Sequence, residues 1–171
     1  MARENVQREH TYSLNVNIQQ EIASYGIEQK MNDYIGLQKT ILPVLEKEGL
    51  FREVINEESG MAIEITKKGI KETLGSGTRF QNLPRKLKEL KITTLRSIPN
   101  LLSVAHLVRD NVSNSHGNAS RYAYFTVCVD MKGLLFNVRM SVQKSSAKNK
   151  FWLHIIDIKE KNPQLLSPSL N

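Results

Sequence analysis

The chain has a single cysteine, Cys128, so it can form no internal disulfide and offers no Cys-rich zinc site. That fits a reducing compartment, and a cytoplasmic location is expected. Long apolar runs are also missing. None approaches the roughly 20 residues that span a bilayer, and the opening MARENVQREH is polar where an export signal needs an apolar stretch. No membrane partner is expected. The motifs GxxxxGK(S/T), GxGxxG, HExxH and GxSxG do not occur, which leaves nucleotide hydrolases, dinucleotide enzymes, zincins and the common serine hydrolases without support. From Met61 onward there are only 7 Asp and Glu, scattered along the chain, too sparse for a two-metal nuclease that surrounds Mg²⁺ with carboxylates. Neither a metal nor a cofactor is expected.

What is present is the composition of an ordinary folded protein: 171 residues, 40% hydrophobic and 24% charged, enough for one buried core with an appendage. The net charge of +7 is unevenly placed. Up to Gly60 there are 6 Lys and Arg against 10 Asp and Glu, or −4; the remaining 18 against 7 give +11. A solvated basic face accounts for such an excess in many proteins. The functional alternative is attraction to a polyanion, because each cation near a phosphate releases condensed counterions.

Patterning divides the chain into a helical extension over 1–60, an α+β unit over 61–160 and a tail over 161–171. Asn32 and Asp33 can cap a segment whose Tyr34, Ile35, Leu37, Ile41, Val44 and Leu45 share one helix side, with a kink or split expected at Pro43 and a stop at Glu48-Gly49. Met61, Ile63 and Ile65 alternate as a short strand, and Thr66 resembles the cap of a helix over Lys67 to Leu74. Leucines and isoleucines at helical spacing over 83–106 predict a helical hairpin or bent pair broken at Pro99. The segments Arg121–Asp130, Leu134–Gln143 and Phe151–Ile158 are rich in aromatic and β-branched residues and read as three strands of an antiparallel meander. Phe125, Val127, Phe136, Val138, Leu153 and Ile155 are its expected core residues. The fold class is α+β, with N-terminal helices followed by helices packed on a small antiparallel β-meander.

Cleavage of RNA without a metal needs a base for the ribose 2′-OH, an acid for the 5′-oxygen and cations at the phosphate. Histidine and lysine suit those tasks. His10 lies near the N-terminus, and His106 follows an apolar run, where it reads as a helix position. His116, in the polar segment Asn114 to Asn118, has no core-packing explanation, and His154 projects from the third strand with Trp152 and Ile156. The loop from Lys144 to Lys150 gathers Lys144, Ser146, Lys148 and Lys150 at one end of the sheet, where they can hold phosphate oxygens. Tyr122, Tyr124 and Trp152 can stack bases, although aromatic strand residues also serve as core or cross-strand pairs.

Five stretches carry a resemblance: KKGIKET (Lys67 to Thr73), LPRKLKELKITTLRSIPNLL (Leu83 to Leu102), LVRDNVSNSH (Leu107 to His116), RYAYF (Arg121 to Phe125) and KSSAKNKFWLH (Lys144 to His154). Together they resemble a small family encoded on phages and integrating mobile elements and assigned to the barnase, EndoU, colicin E5/D and RelE-like nuclease superfamily. The resemblance implies a RelE/barnase-like α+β fold and metal-independent endoribonuclease activity on the sheet surface. It supports His, Lys, Ser/Thr and Tyr as functional residue types. The expected catalytic set is His116 and His154 as acid and base, Lys68 and Lys144 as phosphate-binding cations and Ser146 as a hydrogen-bond donor. Thr73, Tyr122, Lys148, Lys150 and Trp152 are the expected substrate contacts. The implied partners are RNA, with tRNA among the candidates, and a neutralising protein. The same resemblance is compatible with a non-catalytic nucleic-acid-binding or protein-interaction factor of a mobile element.

Overall fold

A computed structural model of the chain describes residues 11–75, 78–113, 121–145 and 150–160. At its centre are β5 (Arg121–Met131) and β6 (Leu134–Lys144), paired antiparallel along their whole length from Arg121↔Lys144 to Met131↔Leu134. Alternation decides which side chains they bury. Ala123, Phe125, Val127 and Val129 lie opposite Val142, Met140, Val138 and Phe136, all of them buried. The two-residue turn Lys132-Gly133 has positive φ at both positions, as a tight hairpin between right-twisted strands requires.

β7 (Phe151–Glu160) adds antiparallel to β6, which completes the expected meander. The sheet is larger than that meander and is not purely antiparallel. Its order is β1-β5-β6-β7-β3-β2, with β1 (Thr11–Ser13) parallel to β5 and β3 (Ala62–Glu64) parallel to β7. β2 (Glu53–Ile55) pairs antiparallel with β3. β4 (His106–Ser113) pairs antiparallel with β5. Residues 121–126 of β5 meet β4 and residues 128–130 meet β1, so these two strands share one edge. The result is a curled mixed sheet in an α+β fold.

Three strands therefore fall outside the sequence reading. The first sixty residues read as purely helical, yet β1 and β2 are three residues each, too short for alternation to register. His106 opens β4 and does not sit on a helix. The helical expectations hold better. Asp33 Oδ1 accepts from Gly36 N at 3.0 Å and caps α2 (Tyr34–Lys47). That helix runs through Pro43 without a split. Pro43 is exposed, so the carbonyl it leaves without a donor can be hydrated. Past Glu48-Gly49, Leu50 N bonds to Leu45 O at 3.0 Å and closes the helix. The expected pair over 83–106 is α5 (Arg85–Thr94), a 3₁₀ turn (Leu95–Ser97) and α6 (Ile98–Val104) in succession, with Pro99 in the first turn of α6, where its missing N–H is tolerated.

α1 (Ile18–Tyr25) packs on α5, α2 packs on α3 (Lys67–Gly75), and α3 packs on β7. α4 (Thr78–Gln81) follows α3. Residues from Leu14 to Ile156 share a single buried cluster, so strands and helices on both sides of Gly60 contribute to one core. Two polar nodes tie it together. Asn56, fully buried, donates to Leu102 O and Ala105 O at 2.8 and 2.9 Å, which joins the β2–β3 hairpin to the end of α6. The Arg96 guanidinium grips Glu48 at 2.7 and 3.0 Å and Glu21 at 2.8 Å while lying 4.2 Å from the centre of the Tyr25 ring, which joins the 3₁₀ turn to α1 and α2.

Candidate functional site

The face of the sheet opposite the buried rows of β5 and β6 is polar and aromatic. Because paired residues share a face, one row holds Val112, Tyr122, Gln143 and Trp152, the next includes Arg109, Tyr124 and Ser141, and the next His106, Thr126, Arg139 and Asp157. Trp152 Nε1 donates to Gln143 Oε1 at 3.3 Å, which fixes the indole on this surface.

β7 is irregular where it crosses this face. Val142 pairs with Leu153 and Ser141 with Ile155, so His154 is an extra residue, a β-bulge. The bulge resets the strand's phase, and Leu153 and Ile156 both enter the core. The expected alternation, with Ile156 alongside His154 and opposite Leu153, is corrected by that extra residue; the Ile155 side chain lies outside those described.

α3 organises the bulge. Thr66 Oγ1 accepts from Gly69 N at 3.1 Å and caps the helix start, and Gly69 then rests against the Leu153 carbonyl so closely that a Cβ would overlap it. One turn on, Thr73 Oγ1 donates to Gly69 O at 2.9 Å and accepts from Ile156 N at 3.1 Å, which satisfies the edge of β7 beyond the bulge. Between these two anchors Glu72 reaches out, and its Oε2 lies 3.4 Å from His154 Nδ1. The Tyr122 ring, itself buried, lies against the imidazole with centroids 5.4 Å apart. Glu72 and His154 are each about a quarter exposed, 24% and 26%, so the pair is partly screened from water but reachable. A carboxylate on Nδ1 sets the ring's orientation and leaves Nε2 for another partner. Lys68, exposed and four residues before Glu72, projects from the same side of α3.

The expected residues thus separate. His154, Tyr122 and Trp152 share one region of the sheet face, with Lys68 on the adjoining helix side. Thr73, expected to touch substrate, is 1% exposed and bonds α3 to β7. Lys144 was expected beside His154, but it pairs with Arg121 and Phe151 in the register and so projects from the opposite side of the sheet to Tyr122 and Gln143. There its Nζ meets Asp110 Oδ1 at 2.6 Å and lies over the Phe151 ring. Lys150 is exposed, and its carbonyl accepts from Ser145 N at 2.9 Å. His116, Ser146 and Lys148 lie outside the described residues. His106 is engaged by Glu58, away from the bulge.

Sequence reasoning missed Glu72, although it stands in the quoted run KKGIKET, because its partner is 82 positions away. It also missed Arg109 and Arg139. With Tyr124, Thr126, Val108, Val112 and Phe125 these line a recess of about 540 Å³ on the same sheet face. Strand parity was the available signal for Arg139, which alternates with the buried Val138 and Met140.

Residues 32–153 match the model of the large polyvalent protein-associated domain 3 family. The chain belongs to that family. Lys68, Gly69, Glu72, Thr73, Tyr122, Trp152 and Leu153 fall within the matched span, and His154 directly follows it. Membership in a large polyvalent protein-associated family points to a phage or mobile-element setting. No curated protein and no solved structure matches the chain. Among the described residues no helix is long and apolar enough to cross a membrane.

Proposed function

We propose that this large polyvalent protein-associated domain is a metal-independent endoribonuclease of a phage or mobile element. The observation that supports it best is His154 on a β-bulge, oriented by Glu72 and flanked by Tyr122, on an aromatic and cationic sheet face. In this reading the RNA 2′-oxygen attacks the adjacent phosphorus while its proton passes to a base. The 5′-oxygen leaves with a proton from an acid, giving a 2′,3′-cyclic phosphate and a 5′-OH. His154 Nε2 performs one of the two proton transfers and His116 the other. Lys68 supplies positive charge to the phosphate oxygens, and Trp152 and Tyr122 border the ribose and base. Glu72 is a positioning residue. The substrate class is RNA, tRNA included, and a neutralising protein is the partner such an activity calls for in the cell that makes it.

The test is incubation with a mixed tRNA and rRNA pool in EDTA, followed by mapping of the ends. The expected products carry 2′,3′-cyclic phosphate and 5′-OH termini, and a 2′-deoxy nucleotide at the cut position blocks cleavage. Uncut RNA in both EDTA and Mg²⁺ contradicts the reading. Glu72→Gln should slow cleavage by about tenfold and alter its pH profile, because it keeps the side-chain volume and removes the charge that orients the ring. A second reading, a nucleic-acid-binding factor without turnover, is favoured by the Lys144–Asp110 pair, which commits one expected catalytic cation to a carboxylate. It predicts salt-sensitive RNA binding and no cut ends.

A further inference from the structure

The recess between β4 and β6 has its own chemistry. Arg109 lies opposite Tyr124 across the β4–β5 pair, and Arg139 lies opposite Thr126 across the β5–β6 pair, so two guanidiniums flank a phenol ring and a hydroxyl on adjacent rows. Both arginines are exposed, and neither guanidinium has a hydrogen bond or ion pair with the other described residues. This contrasts with Arg96 and Lys144, whose charges are committed to carboxylates. Asp157 is Arg139's neighbour across β6–β7, and its Oδ1 lies 3.3 Å from the buried Lys91. The register breaks in β4 between Leu107 and Arg109 and between Arg109 and Val112, so this strand departs from regular pairing on both sides of Arg109, at the recess.

Two planar forks beside an accessible aromatic ring match a phosphodiester with its base, since guanidinium groups bind phosphate oxygens bidentately and a tyrosine ring stacks on any base. The recess and the His154 pair occupy the same sheet face, with Tyr122 and Tyr124 in neighbouring rows of β5. We infer that the Arg109–Arg139–Tyr124 recess binds a nucleotide of a single-stranded RNA adjoining the His154 site, its phosphate between the two arginines and its base on Tyr124. This deepens the nuclease reading and rests on it for the identity of the strand. A duplex keeps its bases stacked inside and cannot offer one to Tyr124.

The test uses the full chain and a fluorescent single-stranded RNA 12-mer, with anisotropy read across a salt series. Arg109→Gln combined with Arg139→Gln should weaken binding by about tenfold or more and reduce the slope of log K against log salt by about 1 to 1.5, the loss of two phosphate contacts. Tyr124→Leu should weaken it by about fivefold or more with no change in that slope. Lys39→Gln combined with Lys47→Gln removes the same charge from the exposed side of α2 and should leave affinity within about twofold, which separates a site from general attraction. The parent chain should bind the single strand at least about tenfold more tightly than the same sequence in a duplex. Folding of each variant is checked by its melting temperature. Unchanged RNA affinity in the folded double-arginine variant, or equal preference for the duplex, overturns the inference. If the parent cleaves RNA while that variant binds normally, the recess is wrong and the His154 reading stands. If the parent binds through these arginines and never cleaves, the recess stands and the nuclease reading falls.

Discussion

Tyr25 lies beneath the Arg96 guanidinium with its hydroxyl buried and without a hydrogen-bond partner among the described residues. Burial raises its ionisation well above the ordinary 10.0 of a phenol; Arg96 opposes that shift, and Glu21 and Glu48 add to it. With the folded value above the unfolded one, the neutral ring stabilises the fold fully below about pH 10, and that stability is lost as pH rises further, because the unfolded chain ionises first. Tyr25→Phe should therefore melt at the same temperature or higher at pH 7 and lose less stability between about pH 10 and 12; a melting profile that follows the parent's at alkaline pH would place the sensitivity elsewhere. Legibility at this scale depended on reach. Asp33 and Thr66 were readable as caps because a cap acts within three residues. Arg96 was not, since its carboxylates are 48 and 75 positions away. Glu72 was hidden for the same reason, while His154 and Tyr122 were readable from residue type and strand position.

At the scale of elements, α3 and β7 form the device on which the candidate site depends. Gly69 allows the helix to touch the Leu153 carbonyl, Thr73 holds Ile156, and Glu72 meets the residue that the bulge displaces. Gly69→Ala should push α3 away from β7, lowering stability by about 1–3 kcal/mol and slowing RNA cleavage by more than that loss of folded protein accounts for. Wild-type cleavage per folded molecule in this variant would show that the helix contact does not govern the site. The strands β5, β6 and β7 were legible because alternation over ten or eleven residues is a strong signal. β4 was not, because its register breaks around Arg109 scramble the period. The bulge at His154 was equally invisible, because a one-residue insertion changes which side chains face inward without changing composition.

Across the whole molecule, the acidic first sixty residues meet the basic remainder. Glu46 pairs with Lys67, Glu21 and Glu48 with Arg96, and Glu58 with His106. The pairings of Lys67 and Arg96 neutralise two of the cations contributed after Met61, while Arg109 and Arg139 stand on the sheet face without such a partner among the described residues. RNA affinity should accordingly fall by about tenfold or more between 50 and 200 mM salt; a flat salt response would exclude a phosphate-led interface. The α+β class and the basic bias were legible from patterning and counting. The mixed sheet was not, since its parallel pairings join segments more than 80 residues apart through strands of three residues. The central claim is that His154, held by Glu72, transfers a proton during RNA cleavage, and a single-turnover cleavage rate in EDTA for the parent and His154→Ala tests it most directly. The account predicts a fall of about 10²-fold or more in the variant, with RNA affinity within about twofold of the parent. Equal rates in the two proteins would contradict it.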